Sequence, residues 1–220
     1  MFKVERPLDA PLCTKKVGYN TREIVNILHE IFYGKCYLCE KDNLHDPEIE
    51  HFIPHEKEDD LKYNWENLYY ACGRCNNLKS STHIDLLDCT KENEIREKIK
   101  HFVPSSPCLP ATVLPVDQLD QKSLNTAKLL NECFNSTNTA LRAITRASFL
   151  EELSGEYLHW LGLKQKIVSK RSTAEEVHEA TNKLRQMLRV DYPFSVFWYW
   201  HTVSEEKLLE KVKDVLFPNP

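Results

Sequence analysis

Apolar residues recur at helical spacing early in the chain, at Ile24, Val25, Ile27, Leu28, Ile31 and Phe32. Asn20-Thr21-Arg22-Glu23 precedes them as an N-cap with a Glu three residues on, and Gly34 is a plausible stop. The period then changes. Residues 48–54 predict a short strand ended by Pro54, and residues 55–66 a charged loop. Leu68-Tyr69-Tyr70-Ala71 predicts a second strand, and a brief helix is expected near Gly73, carrying Asn76 and Lys79. Pro104, Pro107, Pro110 and Pro115 mark 101–117 as a linker. Beyond it the pattern is helical, with candidates at 122–135 and 137–153. Ser172-Thr173-Ala174-Glu175-Glu176 offers two overlapping capping boxes for a helix bearing Val177, Ala180, Leu184 and Leu188. A last helix is expected from Ser204, with Leu208, Leu209, Val212, Val215 and Leu216 on its apolar side. The aromatic run Phe194–Trp200 reads first as core and second as a partner interface.

These elements predict an α+β chain, mostly α. It divides into an N-terminal segment and helix (1–34), a small strand–loop–strand–helix module (35–100), the linker (101–117) and a helical domain (118–220) suited to binding a partner. At 220 residues the chain can bury a sizeable core. No apolar run approaches membrane-spanning length, and the start lacks the apolar region of a signal peptide, so a cytoplasmic protein is expected.

Eight cysteines in such a chain point to metal rather than disulfides where they fall in pairs. Cys36-Tyr37-Leu38-Cys39 and Cys72-Gly73-Arg74-Cys75 are two Cys-x-x-Cys pairs. Four thiolates in tetrahedral geometry suit Zn²⁺ and leave no open position for a substrate, so this metal is expected to be structural. Cys13, Cys89, Cys108 and Cys133 lack the spacing and are expected to be free, mostly buried thiols. The formal net charge is -4. A four-thiolate zinc site lowers it further, to about -6. A nucleic-acid-binding protein with that balance needs a local basic patch or a partner.

Between the cysteine pairs the spacing becomes specific. Glu50-His51-Phe52-Ile53-Pro54 is followed by Asn67-Leu68 and then by Cys72-x-x-Cys75-Asn76-x-x-Lys79. Over about residues 35–82 this resembles the HNH endonuclease family, whose ββα-metal fold is strand, loop, strand, helix. The resemblance implies a metal-dependent nuclease. It makes His51 the general base, Glu50 and Asn76 the ligands of a catalytic Mg²⁺ (or Mn²⁺), Asn67 a brace for the loop, and Lys79 a cation near the phosphate. Asn76 stands where many members carry His, and Glu50 where many carry Asp. Oxygen ligation favours Mg²⁺ or Mn²⁺ over softer metals. His55 is a further candidate for phosphate or metal contact, beside its reading as a solvated loop residue. Arg142 and Arg146 are spaced to share a helix face.

More loosely, Phe2-Lys3-Val4-Glu5-Arg6-Pro7, an HNH module near the start, Leu129-Leu130-Asn131 and Arg142 are similar to the HNH subunits of Septu and Septu-like retron antiphage systems. That resemblance implies a DNA substrate and an ABC-type ATPase subunit (PtuA-like) as partner. Two other functions fit the same residues: a non-catalytic zinc module that binds nucleic acid or protein, and an HNH nuclease of a restriction or mobile-element system.

Overall fold

The computed structural model describes residues 1–137 and 145–216. The first helix, α1, spans Arg22–Ile31 and is capped by Thr21, whose Oγ1 accepts from Ile24 N at 3.3 Å. The cap thus falls one residue later than Asn20. Gly34 ends the turn at φ +66°, where its N–H donates to His29 O at 2.7 Å. A Cβ there would lie 3.0 Å from the His29 ring, so both backbone and space ask for glycine.

Strand β1 (Pro47–His51) pairs antiparallel with β2 (Leu68–Cys72), from Pro47 opposite Cys72 to His51 opposite Leu68. The connection carries a one-turn helix, α2 (Asp59–Lys62), and a 3-10 turn at Trp65–Asn67, where the sequence suggested only loop. Helix α3 (Gly73–Lys79) follows β2 directly and packs on both strands. The strand–loop–strand–helix order of the sequence is therefore the order of the fold.

A short helix α4 (Ile95–Lys98) leads into β3 (Ile99–Phe102), which pairs antiparallel with β4 (Thr112–Pro115). Residues 101–117, expected from their prolines to be a linker, thus hold the end of β3 and all of β4. Pro104, Pro107 and Pro110 lie in the connection between the strands, where no ladder N–H is needed. Val103, Ala111 and Val113 are buried.

The remainder is helical: α5 (Gln121–Asn135), α6 (Arg146–Val168), α7 (Ala174–Met187), α8 (Ser195–Val203) and α9 (Glu206–Leu216). The second capping box forms at α7, with Glu176 N donating to Thr173 Oγ1 and Thr173 N to Glu176 Oε2. Helix α6 runs well past 153 because Trp160, Leu163 and Ile167 continue its buried face. Arg142 and the start of the 137–153 helix lie outside the described residues. Phe194, Phe197 and Trp198 of the aromatic run are fully buried, so that run is core. Among the described residues no helix is long and apolar enough to cross a membrane.

The described residues are α+β and mostly helical, with two small two-stranded sheets. One apolar core runs from Phe2 through α9. Buried charges stitch the small module to the helices. Lys35 Nζ donates to Val190 O at 2.6 Å and Tyr192 O at 2.8 Å and faces Glu40 Oε2 at 3.4 Å. Glu40 also accepts from Ser195 Oγ at 2.9 Å. Lys35→Met would strand two partly buried carbonyls and leave the buried Glu40 without its lysine. We expect a loss of about 3–5 kcal/mol in urea unfolding. A loss within about 0.5 kcal/mol, as for an ordinary surface change, would show that this stitch carries no load.

Candidate functional site

Cys36 and Cys39 lie in the turn after α1, Cys72 ends β2, and Cys75 sits in the first turn of α3. All four are buried, and their sulfurs lie within 4.8 Å of one another. Cys39 and Cys72 are 3.9 Å apart. A tetrahedral site with metal–sulfur bonds of 2.3 Å puts its sulfurs about 3.8 Å apart, so the cluster has the size a metal requires. Hydrogen bonds from Cys36, Cys39 and Cys75 hold the Cys72 thiol well below its usual range, while burial pushes Cys39, and hydrogen bonds to the neighbouring thiols push Cys75, well above it, so Cys72 is the sulfur that gives up its proton first. Cys89 and Cys133 are buried free thiols as expected; Cys13 is partly exposed and Cys108 exposed. Arg74, inside the second pair, is buried and donates to Cys133 O at 3.1 Å and Ser136 O at 2.7 Å. It caps the C-terminal carbonyls of α5.

The Glu-His dipeptide divides across β1, because successive side chains point to opposite faces. Glu50 turns inward toward α3 and is 3 % exposed. Its Oε1 meets Lys79 Nζ at 2.6 Å, and its Oε2 accepts from Tyr37 OH at 2.8 Å. Burial pushes the Glu50 carboxyl up, against the pull of Lys79. Lys79 is fully buried and also donates to His51 O at 3.0 Å. The structure therefore brings Glu50, Lys79 and the His51 backbone together, and spends the two charges on each other.

Asn76 lies one turn earlier on α3, and its Nδ2 donates to Glu48 Oε2 at 2.6 Å. Glu48 is the carboxylate two residues before Glu50 on the same strand face. Sequence spacing did not single it out; period-two alternation beside an amide one helical turn from Lys79 is the signal that finds it. Asn76, Glu48 and Glu50 offer an amide oxygen and carboxylates on one side of β1. Among the described residues, only the four cysteines form a group of three or more His, Cys, Asp or Glu close enough to share a metal. An ion at Asn76 would therefore rely on few protein ligands and keep most of its waters, as Mg²⁺ does.

The His51 ring faces the other way. Its Nε2 lies 3.0 Å from Lys62 O. A carbonyl only accepts, so Nε2 carries the proton and Nδ1 the lone pair. Burial lowers the His51 pKa below its ordinary value; the hydrogen bond to the Lys62 carbonyl opposes this, and the neighbouring His55, Lys62 and Lys79 lower it further. The imidazole is thus held neutral, in one tautomer. His55 packs edge-on against it at 4.6 Å between ring centroids, and its Nδ1 accepts from Lys57 N at 3.0 Å. On the other side stands Tyr19, at 4.8 Å. Neither Tyr19 nor Lys62 is marked by the sequence pattern.

Asn67 ties the loop between the strands. Its Nδ2 donates to Ile53 O at 2.8 Å and Leu61 O at 3.1 Å, and its Oδ1 accepts from Ile53 N at 2.7 Å. Leu61 neighbours Lys62, so Asn67 braces the segment that presents the carbonyl to His51.

Residues 36–82, which contain both cysteine pairs, His51, Asn67, Asn76 and Lys79, match the HNH endonuclease family. A Septu protein PtuB of Bacillus thuringiensis is 27% identical to this chain over 140 residues, covering 54% of each. The chain thus spans about half the length of that relative.

Proposed function

We propose that this chain is a metal-dependent endonuclease that hydrolyses phosphodiester bonds of DNA, as the nuclease subunit of an antiphage complex with an ABC-type ATPase. The observation that carries the reading is His51: a neutral imidazole of fixed tautomer, held by the Lys62 carbonyl, within a segment that matches the HNH endonuclease family. Its Nδ1 lone pair would take a proton from the attacking water. The four cysteines would hold Zn²⁺ and position β2 and α3. Asn76 and Glu48 would hold Mg²⁺ or Mn²⁺, which when bound stabilises charge on the phosphate and the leaving oxygen. Glu50, which the family pattern makes the acidic ligand, would instead fix Lys79 and, through it, the His51 backbone. The likeness to a Septu protein supports the defence setting. The net charge of -4 supports a partner that supplies grip on nucleic acid. The clustering of two Cys-x-x-Cys pairs as a metal site rather than a disulfide framework supports the cytoplasm.

Glu48→Gln is expected to weaken Mn²⁺ binding, read by electron paramagnetic resonance, and to slow cleavage about 10–100-fold, while the melting temperature holds. Glu50→Gln should act on stability instead, since it leaves Lys79 buried without its partner. Unchanged Mn²⁺ binding in Glu48→Gln, with loss in Glu50→Gln, would return the ligand role to Glu50.

A second reading, a zinc module that binds without cutting, is favoured by the Glu50–Lys79 pair, which spends two family site residues on internal structure. Plasmid nicking with Mg²⁺ or Mn²⁺, with and without the ATPase, separates the two. Nicking should be weak with the chain alone and rise when the ATPase is added; equal activity in both conditions would remove the proposed role of the partner. No nicking in either condition would leave the binding module.

A further inference from the structure

Outside the metal-binding residues, the surface around His51 has an unusual make-up. Tyr19 and Tyr63 stand 6.2 Å apart between ring centroids, tilted by 55°. Lys62 Nζ lies 5.8 Å from the Tyr19 ring and 5.5 Å from the Tyr63 ring. Among the described residues the Lys62 ammonium makes no ion pair, although Glu58, Asp59 and Asp60 precede it; Asp59 pairs with Lys15 at 2.8 Å instead. Tyr19, Lys62 and Tyr63 are all partly exposed, and the backbone of Lys62 is the group that holds His51. Two aromatic rings and one cation are thus built into the wall of the proposed reaction centre.

We infer that Tyr19 and Tyr63, with the Lys62 ammonium over both rings, form a stacking shelf for an unpaired nucleotide beside the bond whose attacking water His51 activates, so that the substrate is single-stranded nucleic acid or a duplex opened at that step. This rests on the proposed nuclease activity for its location but not for its chemistry. In a duplex the faces of a base are covered by its neighbours, and only an unpaired base can offer a face to an aromatic ring. Lys62 would meet the adjoining phosphate. The surrounding charge points the same way. Glu56 and Glu58 precede α2, and Asp59 and Asp60 begin it, in the same connection between β1 and β2. An acidic surface disfavours a duplex, with its denser phosphate charge, more than it disfavours a single strand.

The test uses the full chain carrying His51→Ala, so that binding is read without cleavage. A fluorescent thymidine oligonucleotide and a hairpin duplex of the same length are titrated by anisotropy at low salt. The single strand should bind more tightly than the duplex. Tyr63→Leu should weaken single-strand binding about 5- to 150-fold, the value of one stacked base. Tyr63→Phe should preserve it, and Lys62→Gln should weaken it with a smaller dependence on salt. Tyr63 has no ring contact with His51, so in the nicking measurement, where His51 is intact, its loss leaves the imidazole in place; circular dichroism verifies that the variants fold. Equal binding of duplex and single strand overturns the inference. So does an absence of single-strand binding, or a Tyr63→Leu variant that binds as well as its parent. Nicking by the chain with His51 intact is measured separately. Absent nicking with Tyr63-dependent binding would sink the nuclease reading and leave the shelf standing; nicking without that dependence would do the reverse.

Discussion

Stripping the metal from the four-cysteine cluster is expected to unfold the whole chain, not only the small module. Structural zinc contributes apparent binding free energies of about 10–16 kcal/mol, as much as the entire stability of an ordinary domain. Here the four sulfurs join the turn after α1, the end of β2 and the start of α3. The consequences extend beyond those elements. Arg74, between two of the cysteines, holds the last carbonyls of α5. Lys35 and Glu40, which flank the other pair, hold the turn before α8. Four buried thiols without their ion would also leave polarisable groups and their partners misplaced in a single continuous core. A strong chelator, or Cys72→Ser, should therefore remove the cooperative melting transition and much of the helical circular dichroism. Elemental analysis should find one zinc per chain. Unchanged melting in excess chelator would show that the cluster is only a set of buried thiols.

His51→Ala should abolish most cleavage, lowering the rate about 10²–10⁴-fold, the usual worth of a positioned general base. The ring is half-buried and its one hydrogen bond is to Lys62 O, so the melting temperature should change little. The pH profile adds a sharper check. The reactive form is the neutral imidazole. Burial, against the opposing hydrogen bond to the Lys62 carbonyl, depresses its pKa below the ordinary 6.5, and the ammonium groups of Lys62 and Lys79 add to the effect. Cleavage should then be level through neutrality and fall only as pH drops below 6.5, when His51 gains its proton. A profile that is still rising above pH 7.5 would assign the proton transfer to another group.

The parts of this fold that depend on local chemistry were legible in the sequence. Thr173 and Glu176 form the capping box their spacing suggests. The cysteine pairs cluster, and strand, strand and helix follow in the expected order. What could not be read depends on distant partners. Helix α8 is buried nearly all round, so Phe194–Trp200 shows no polar face to reveal its period. β3 and β4 have four residues each and gain their place from α5 and α8. The site divides the same way. Asn67 and Lys79 were visible as spacings, but the ion pair that occupies Glu50 and Lys79 needs the register of α3 on β1. Glu48 emerges only when that packing brings it to Asn76. Tyr19, Lys62 and Tyr63 come from two separate stretches and meet only around the ring of His51.

The most direct measurement of the central claim is plasmid nicking by purified chain and ATPase with Mg²⁺ or Mn²⁺, run side by side with His51→Ala. Nicking that depends on the metal and disappears in His51→Ala, with folding and zinc content unchanged, is the expected result. Nicking that persists in His51→Ala would contradict the assignment of His51 as the base.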